Sequence, residues 1–71
     1  MLSEETYKAN YYEVEVDGRY RYYKARSANV CDTAALIREY NELDTHEGGD
    51  EEWMFRRMRC IEEELKERGV F

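Results

Sequence analysis

Three side chains in this 71-residue chain carry the reactivity that nucleophilic or acid–base chemistry uses near neutral pH: Cys31, Cys60 and His46. A nucleophile–base pair needs His46 within hydrogen-bond reach of a thiol, with a third group to orient the ring. His46 instead sits in a glycine-bearing connector beside Glu47, and both cysteines fall on helical patterns at no diagnostic spacing. No catalytic constellation is expected, and His46 reads as an exposed loop residue. The two thiols are too few for a tetrahedral zinc site without further ligands, so both are expected to be free. The acidic stretch from Asp44 to Glu52 invites a calcium test. Counted from Asp44, the sixth position is Gly49, as an EF-hand loop requires, but the twelfth is Phe55 where a bidentate glutamate belongs. No metal and no cofactor are expected.

Charge is the stronger signal. Lys and Arg number 11 against 17 Asp and Glu, a net −6. Residues 18–31 carry four bases and no acid, whereas residues 32–55 carry eight acids and one base. In that block Glu39, Glu42, Asp44, Glu47, Asp50, Glu51 and Glu52 gather around one connector. Acids three or four apart on a helix lie about 5–6 Å from each other. Such a patch can imitate a nucleic acid and occupy the groove of a basic protein. It can equally be a solvated face that keeps the chain soluble. Tyr11, Tyr23 and Phe55 are the expected aromatic anchors of a contact surface.

Three segments must position these groups. Tyr7 to Val16 and Arg19 to Arg26 are rich in Tyr and Val and alternate with charge, which predicts a β-hairpin turning at Asp17-Gly18. A two-residue turn would set Val16 opposite Arg19 and mix apolar with charged residues on one face. A three-residue loop, Val16-Asp17-Gly18, with Gly18 left-handed, removes the conflict. It pairs Glu15 with Arg19, Glu13 with Arg21 and Tyr11 with Tyr23, and leaves Tyr12, Val14, Tyr20 and Tyr22 as the apolar core face. A helix follows from Val30 to Leu43, capped by Asn29, with Asp32 in its first turn and Val30, Ala34, Leu36, Ile37, Tyr40 and Leu43 as its stripe. A second helix is capped by Asp50, repeats Met54, Met58, Ile61 and Leu65, and stops at Gly69. The fold class is α+β in the order ββαα: a hairpin covered by two antiparallel helices, one domain over residues 1–71.

The hairpin also interleaves bases with aromatics, from Arg19 through Tyr20, Arg21, Tyr22, Tyr23 and Lys24 to Arg26. That pattern can stack bases and hold phosphates. The register above opposes it, because it makes Tyr20 and Tyr22 core and neutralises Arg19 and Arg21 with glutamates. The net charge repels phosphates as well, so no direct nucleic-acid contact is expected. No apolar run approaches the ~20 residues of a membrane span. The acidic start, Met1-Leu2-Ser3-Glu4-Glu5, lacks the apolar region of a secretory leader. A cytoplasmic protein is expected.

In type, the chain resembles small phage-encoded inhibitors, anti-CRISPR proteins among them. The likeness rests on its length, its acidic balance, the Tyr12-Glu13-Val14…Asp17-Gly18 hairpin and the small-residue helix with Ala34-Ala35. It implies a stoichiometric, non-catalytic blocker of a nucleic-acid-handling complex, acting in the cytoplasm of a host cell. The expected function is therefore a protein-binding inhibitor whose acidic patch meets a basic partner. The alternative is a homo-oligomeric structural or adaptor subunit that uses the hairpin edge or the second helix. Open strand edges and a small core argue for a homodimer or a bound subunit. Trp53 and Phe55, about 200° apart on a helix, cannot both face one core.

Overall fold

The computed structural model describes residues 2–45 and 51–71. It is α+β: a short helix α1 (Glu4–Asn10), strands β1 (Tyr11–Val16) and β2 (Tyr20–Ala25), a 3-10 turn at Ala28–Val30, and helices α2 (Thr33–Asp44) and α3 (Glu52–Glu67). A hairpin followed by two long helices is the order expected. Helix α1 is an addition, on residues 7–10 that the strand was expected to hold. Its cause is local. Ser3 is extended, and its Oγ accepts the Thr6 N–H at 3.2 Å, while Glu4 and Glu5 sit at the positive end. The buried Leu2 anchors the entry.

The hairpin register is shifted by two residues from the expectation. Glu15 faces Arg21, Glu13 faces Tyr23, Tyr11 faces Ala25 and Val16 faces Tyr20. A shift of two leaves the side-chain faces unchanged, because alternation has period two. Glu13 and Arg21 still meet, now diagonally, at 3.3 Å. The turn differs because Asp17 and Gly18 are both left-handed (φ 52° and 65°) and the Arg19 N–H donates to the Val16 carbonyl at 3.1 Å. The greater correction concerns which face is buried. Tyr12, Tyr20 and Tyr22, expected in the core, are exposed, and β2 is exposed along its whole length. Tyr11, on the opposite face, is buried. Strand β1 leaves α1 without a connector, so Asn10 and Tyr11 are delivered together against α2, and the helices cover only the base of the hairpin.

Helix α2 begins at Thr33, with Asp32 as its N-cap, three residues later than expected. The carbonyls of Ala28 and Asn29 accept from the Arg68 guanidinium at 3.2 and 3.3 Å instead of from helical amides. The Cys31 N–H closes the 3-10 turn onto Ala28, and Val30 is left exposed. Helix α3 ends as the sequence suggests. Gly69 is left-handed at φ 78°, the Gly69 N–H donates to Lys66 and the Val70 N–H to Leu65, a Schellman closure. The N-cap of α3 is Glu51, one residue later than expected, and Asp50 lies outside the described residues. Leu2, Tyr11, Cys31, Leu36, Leu43, Met54, Ile61 and Leu65 form the core, with Tyr7, Ala28, Ile37, Tyr40 and Met58 packed around it.

Candidate functional site

Each long helix places one charge in its buried stripe. On α2 the stripe runs Leu36, Glu39, Leu43; on α3 it runs Met54, Arg57, Ile61, Leu65. The two charges meet where the helices pack. Arg57 Nε donates to Glu39 Oε2 at 2.7 Å, and Nη2 donates to Oε1 at 3.0 Å. The Tyr11 hydroxyl donates to Oε2 at 2.6 Å and Asn10 Nδ2 to Oε1 at 2.9 Å. Arg57 Nη1 donates to the Arg26 carbonyl at 2.8 Å, and its guanidinium lies 5.5 Å from the Tyr11 ring centre. This one carboxylate therefore gathers α1, β1 and α3, and its arginine adds the end of β2. Burial, reinforced by the Glu39 carboxylate, pushes the Tyr11 phenol well above the ordinary tyrosine range. Burial alone would lower the Arg57 pKa, but the Glu39 bonds outweigh it and hold the guanidinium firmly protonated. With four donors on Glu39 and a permanently charged arginine, the cluster has no proton to exchange. Its chemistry is that of a structural clamp.

Glu39 is therefore not part of an exposed acidic patch, and Tyr11 is not an exposed anchor; the fold consumes both. Their signal was in the sequence: opposite charges at core positions of two apolar stripes. The Met54–Met58 periodicity hid Arg57, one position earlier. Glu42 is half-buried and holds α1 onto α2. It accepts the Ser3 N–H and hydroxyl, both at 2.8 Å, and the Thr6 hydroxyl at 3.1 Å. Partial burial would raise its pKa, but these bonds prevail and lower it. Asp44 is exposed at the end of α2. Glu51 accepts the Trp53 indole N–H, and Glu52 pairs with Arg56 at 2.7 Å. Glu47, Asp50 and His46 lie outside the described residues. Tyr23 and Phe55 are 56% and 57% exposed, on different elements.

Above the clamp the surface is concave on both sides of Tyr7 and Trp53. One hollow is lined by Leu2, Leu43 and Met54, with the carboxylates of Glu42 and Glu51. The other is lined by Tyr11, Tyr23 and Ala25, with the bases Lys24, Arg56 and Arg57. Tyr7 and Tyr23 lie ring over ring at 4.8 Å, and Trp53 is 47% exposed. The arrangement is a saddle, an aromatic ridge with acids on one flank and bases on the other, and its acidic flank suits a cationic side chain with a long apolar stem. Cys31 is buried and Cys60 exposed, and neither is bridged. Among the described residues no group of three or more His, Cys, Asp or Glu is placed to hold a metal ion. No described helix is long and apolar enough to cross a membrane. Compared with known proteins, the chain matches no family model, no curated protein and no solved structure.

Proposed function

We propose that the chain is a non-enzymatic protein-binding inhibitor that seats a basic segment of its partner on the Tyr7–Trp53 saddle. The supporting observation is the saddle itself: the exposed Trp53 and the half-buried Tyr7 are shared by two hollows, with Glu42 and Glu51 on one side and Lys24, Arg56 and Arg57 on the other. Aromatic anchors in a pocket carry most of the energy of typical contacts. The net charge of −6 adds long-range attraction for a basic, nucleic-acid-handling protein. Glu39 drops out of the seven acidic residues, because it is committed to Arg57, and Glu51 and the partly bonded Glu42 are the acids beside the saddle.

Trp53 is the one tryptophan in the chain and reports on its own site. Titration with an arginine-rich peptide should change its fluorescence saturably. Glu51→Gln should weaken that binding, and so should raised salt. Tyr7→Ala should weaken it by about tenfold or more. A flat titration, or binding indifferent to both variants, would remove the saddle from the mechanism. A second reading, a homo-oligomer, draws support from β2, whose outer edge is unpaired and whose every residue is exposed. Light scattering giving a dimer mass, with no peptide response, would favour that reading.

A further inference from the structure

The face of the hairpin turned away from the helices has a composition of its own. Alternation places Tyr12, Val14, Val16, Tyr20, Tyr22 and Lys24 on it. Tyr12, Tyr20 and Tyr22 are 39%, 61% and 45% exposed. The rings of Tyr20 and Tyr22 stand side by side, with centres 6.5 Å apart. The Arg26 guanidinium lies 5.6 Å from the Tyr12 ring centre. Glu13 and Glu15 point to the other face, where Glu13 pairs with Arg21. The strands thus confine their carboxylates to one face. The outer one holds aromatics and cations and no carboxylate.

We propose that this outer face is a stacking platform for a short run of single-stranded nucleic acid, with bases on Tyr20 and Tyr22 and phosphates at Lys24 and Arg26. Four considerations carry the assignment. Bases that each lie on their own ring must be spread to about twice the ~3.4 Å stacking step of a duplex strand. The 6.5 Å ring spacing meets that requirement. Size comes second. Two six-residue strands cover roughly 20 by 10 Å, about a quarter of the ~800 Å² per partner that a stable protein interface buries. An area that small suits two or three nucleotides better than a second folded surface. Third, two premises of the sequence-based objection are lost, since Tyr20 and Tyr22 are exposed and Arg19 faces no glutamate; Arg21 stays paired with Glu13, on the opposite face.

Net charge is the fourth consideration. The chain is acidic overall, but the screening length at physiological salt is about 8 Å, and a six-residue strand reaches about 20 Å. Near the base, Lys24 and Arg26 supply the opposing positive charge, and carboxylates on the helices are screened from the Tyr20 end of the hairpin. At very low salt they would not be.

The platform shares Lys24 with the hollow beside Trp53, so Tyr20 and Tyr22, which line neither hollow, are the changes that test it separately from the saddle. The probe is a fluorescein-labelled twelve-nucleotide oligothymidylate, followed by anisotropy in 50 mM salt. A saturable rise is expected, weakening roughly five- to tenfold by 200 mM salt for two phosphate contacts. Tyr20→Ala and Tyr22→Ala should each lower affinity about tenfold. The corresponding Phe variants should keep it, and Lys24→Glu should weaken it. Tyr23→Ala, on the opposite face, should leave it unchanged. Melting by circular dichroism confirms that each variant is folded. No rise at hundreds of micromolar protein would overturn the proposal. So would equal affinity for a duplex of the same length, or binding indifferent to the Tyr20 and Tyr22 changes. A double Tyr variant that instead alters self-association, with no oligonucleotide response in the parent, would assign the face to protein.

Discussion

The Glu39–Arg57 pair is where single substitutions should matter most. Both groups are buried and bonded on every side, so removing one strands the other in a low-dielectric site. Glu39→Ala is expected to cost about 3–5 kcal/mol, read from urea denaturation. Part of that loss should return in the double variant Glu39→Leu/Arg57→Met, which removes the orphaned charge but leaves the Tyr11 hydroxyl, the Asn10 amide and the Arg26 carbonyl without these partners. Recovery would show that the cost lies in the orphaned charge and not in lost packing. Arg57→Lys is no conservative change, because an ammonium cannot make two parallel bonds to the carboxylate and also reach the Arg26 carbonyl. Tyr11 gives the cluster a pH signature. Its folded pKa lies above the unfolded value of about 10, so the phenol's contribution is fully present below that pH and fades as pH rises beyond it. Ultraviolet titration should find a phenol that resists ionisation until the protein unfolds. Tyr11→Phe should remove that delayed step.

At the scale of elements, the turn is the most exposed point of strain. Gly18 is at φ 65° with nothing within 4 Å of an added Cβ, so Gly18→Ala meets backbone cost alone. That cost is about 1–2 kcal/mol, visible as a lowered melting temperature with no change in the helical signal. The elements also show what a sequence can disclose. The two long helices and the Gly69 stop were legible because apolar periodicity and a left-handed glycine are local signals. The hairpin was legible too, and so were its faces, because a shift of two residues preserves alternation. Which face met the core was not legible. That depends on how Asn10 and Tyr11 leave α1, and α1 itself is built on a Ser3 cap that the tyrosine content of residues 7–12 masked. The site was half legible. The acids were visible as a cluster, but sorting a buried Glu39 from an exposed Asp44 needed the partner helix.

At the scale of the molecule, a compact three-helix body carries a hairpin that is anchored at one end. The overall extents are 42 × 27 × 19 Å. Stability should be distributed accordingly, since a two-stranded ribbon with few buried side chains opens more easily than packed helices. Native-state hydrogen exchange should find the amides of Val14 to Tyr22 exchanging well before those around Leu36 and Ile61. Equal protection across both regions would mean that the hairpin is covered in solution, and would favour a self-associated form. The clamp joins Asn10, Tyr11, Arg26, Glu39 and Arg57, residues far apart along the chain. The Glu39–Arg57 bonds need only the two long helices, but the full cluster also needs α1 and the hairpin in place. We therefore expect the full cluster to close late in folding and to act as a latch on the finished topology. Variants of Arg57 should speed unfolding several-fold while leaving the folding rate nearly untouched. The lifetime of the native state, more than the speed of reaching it, is what this buried pair controls.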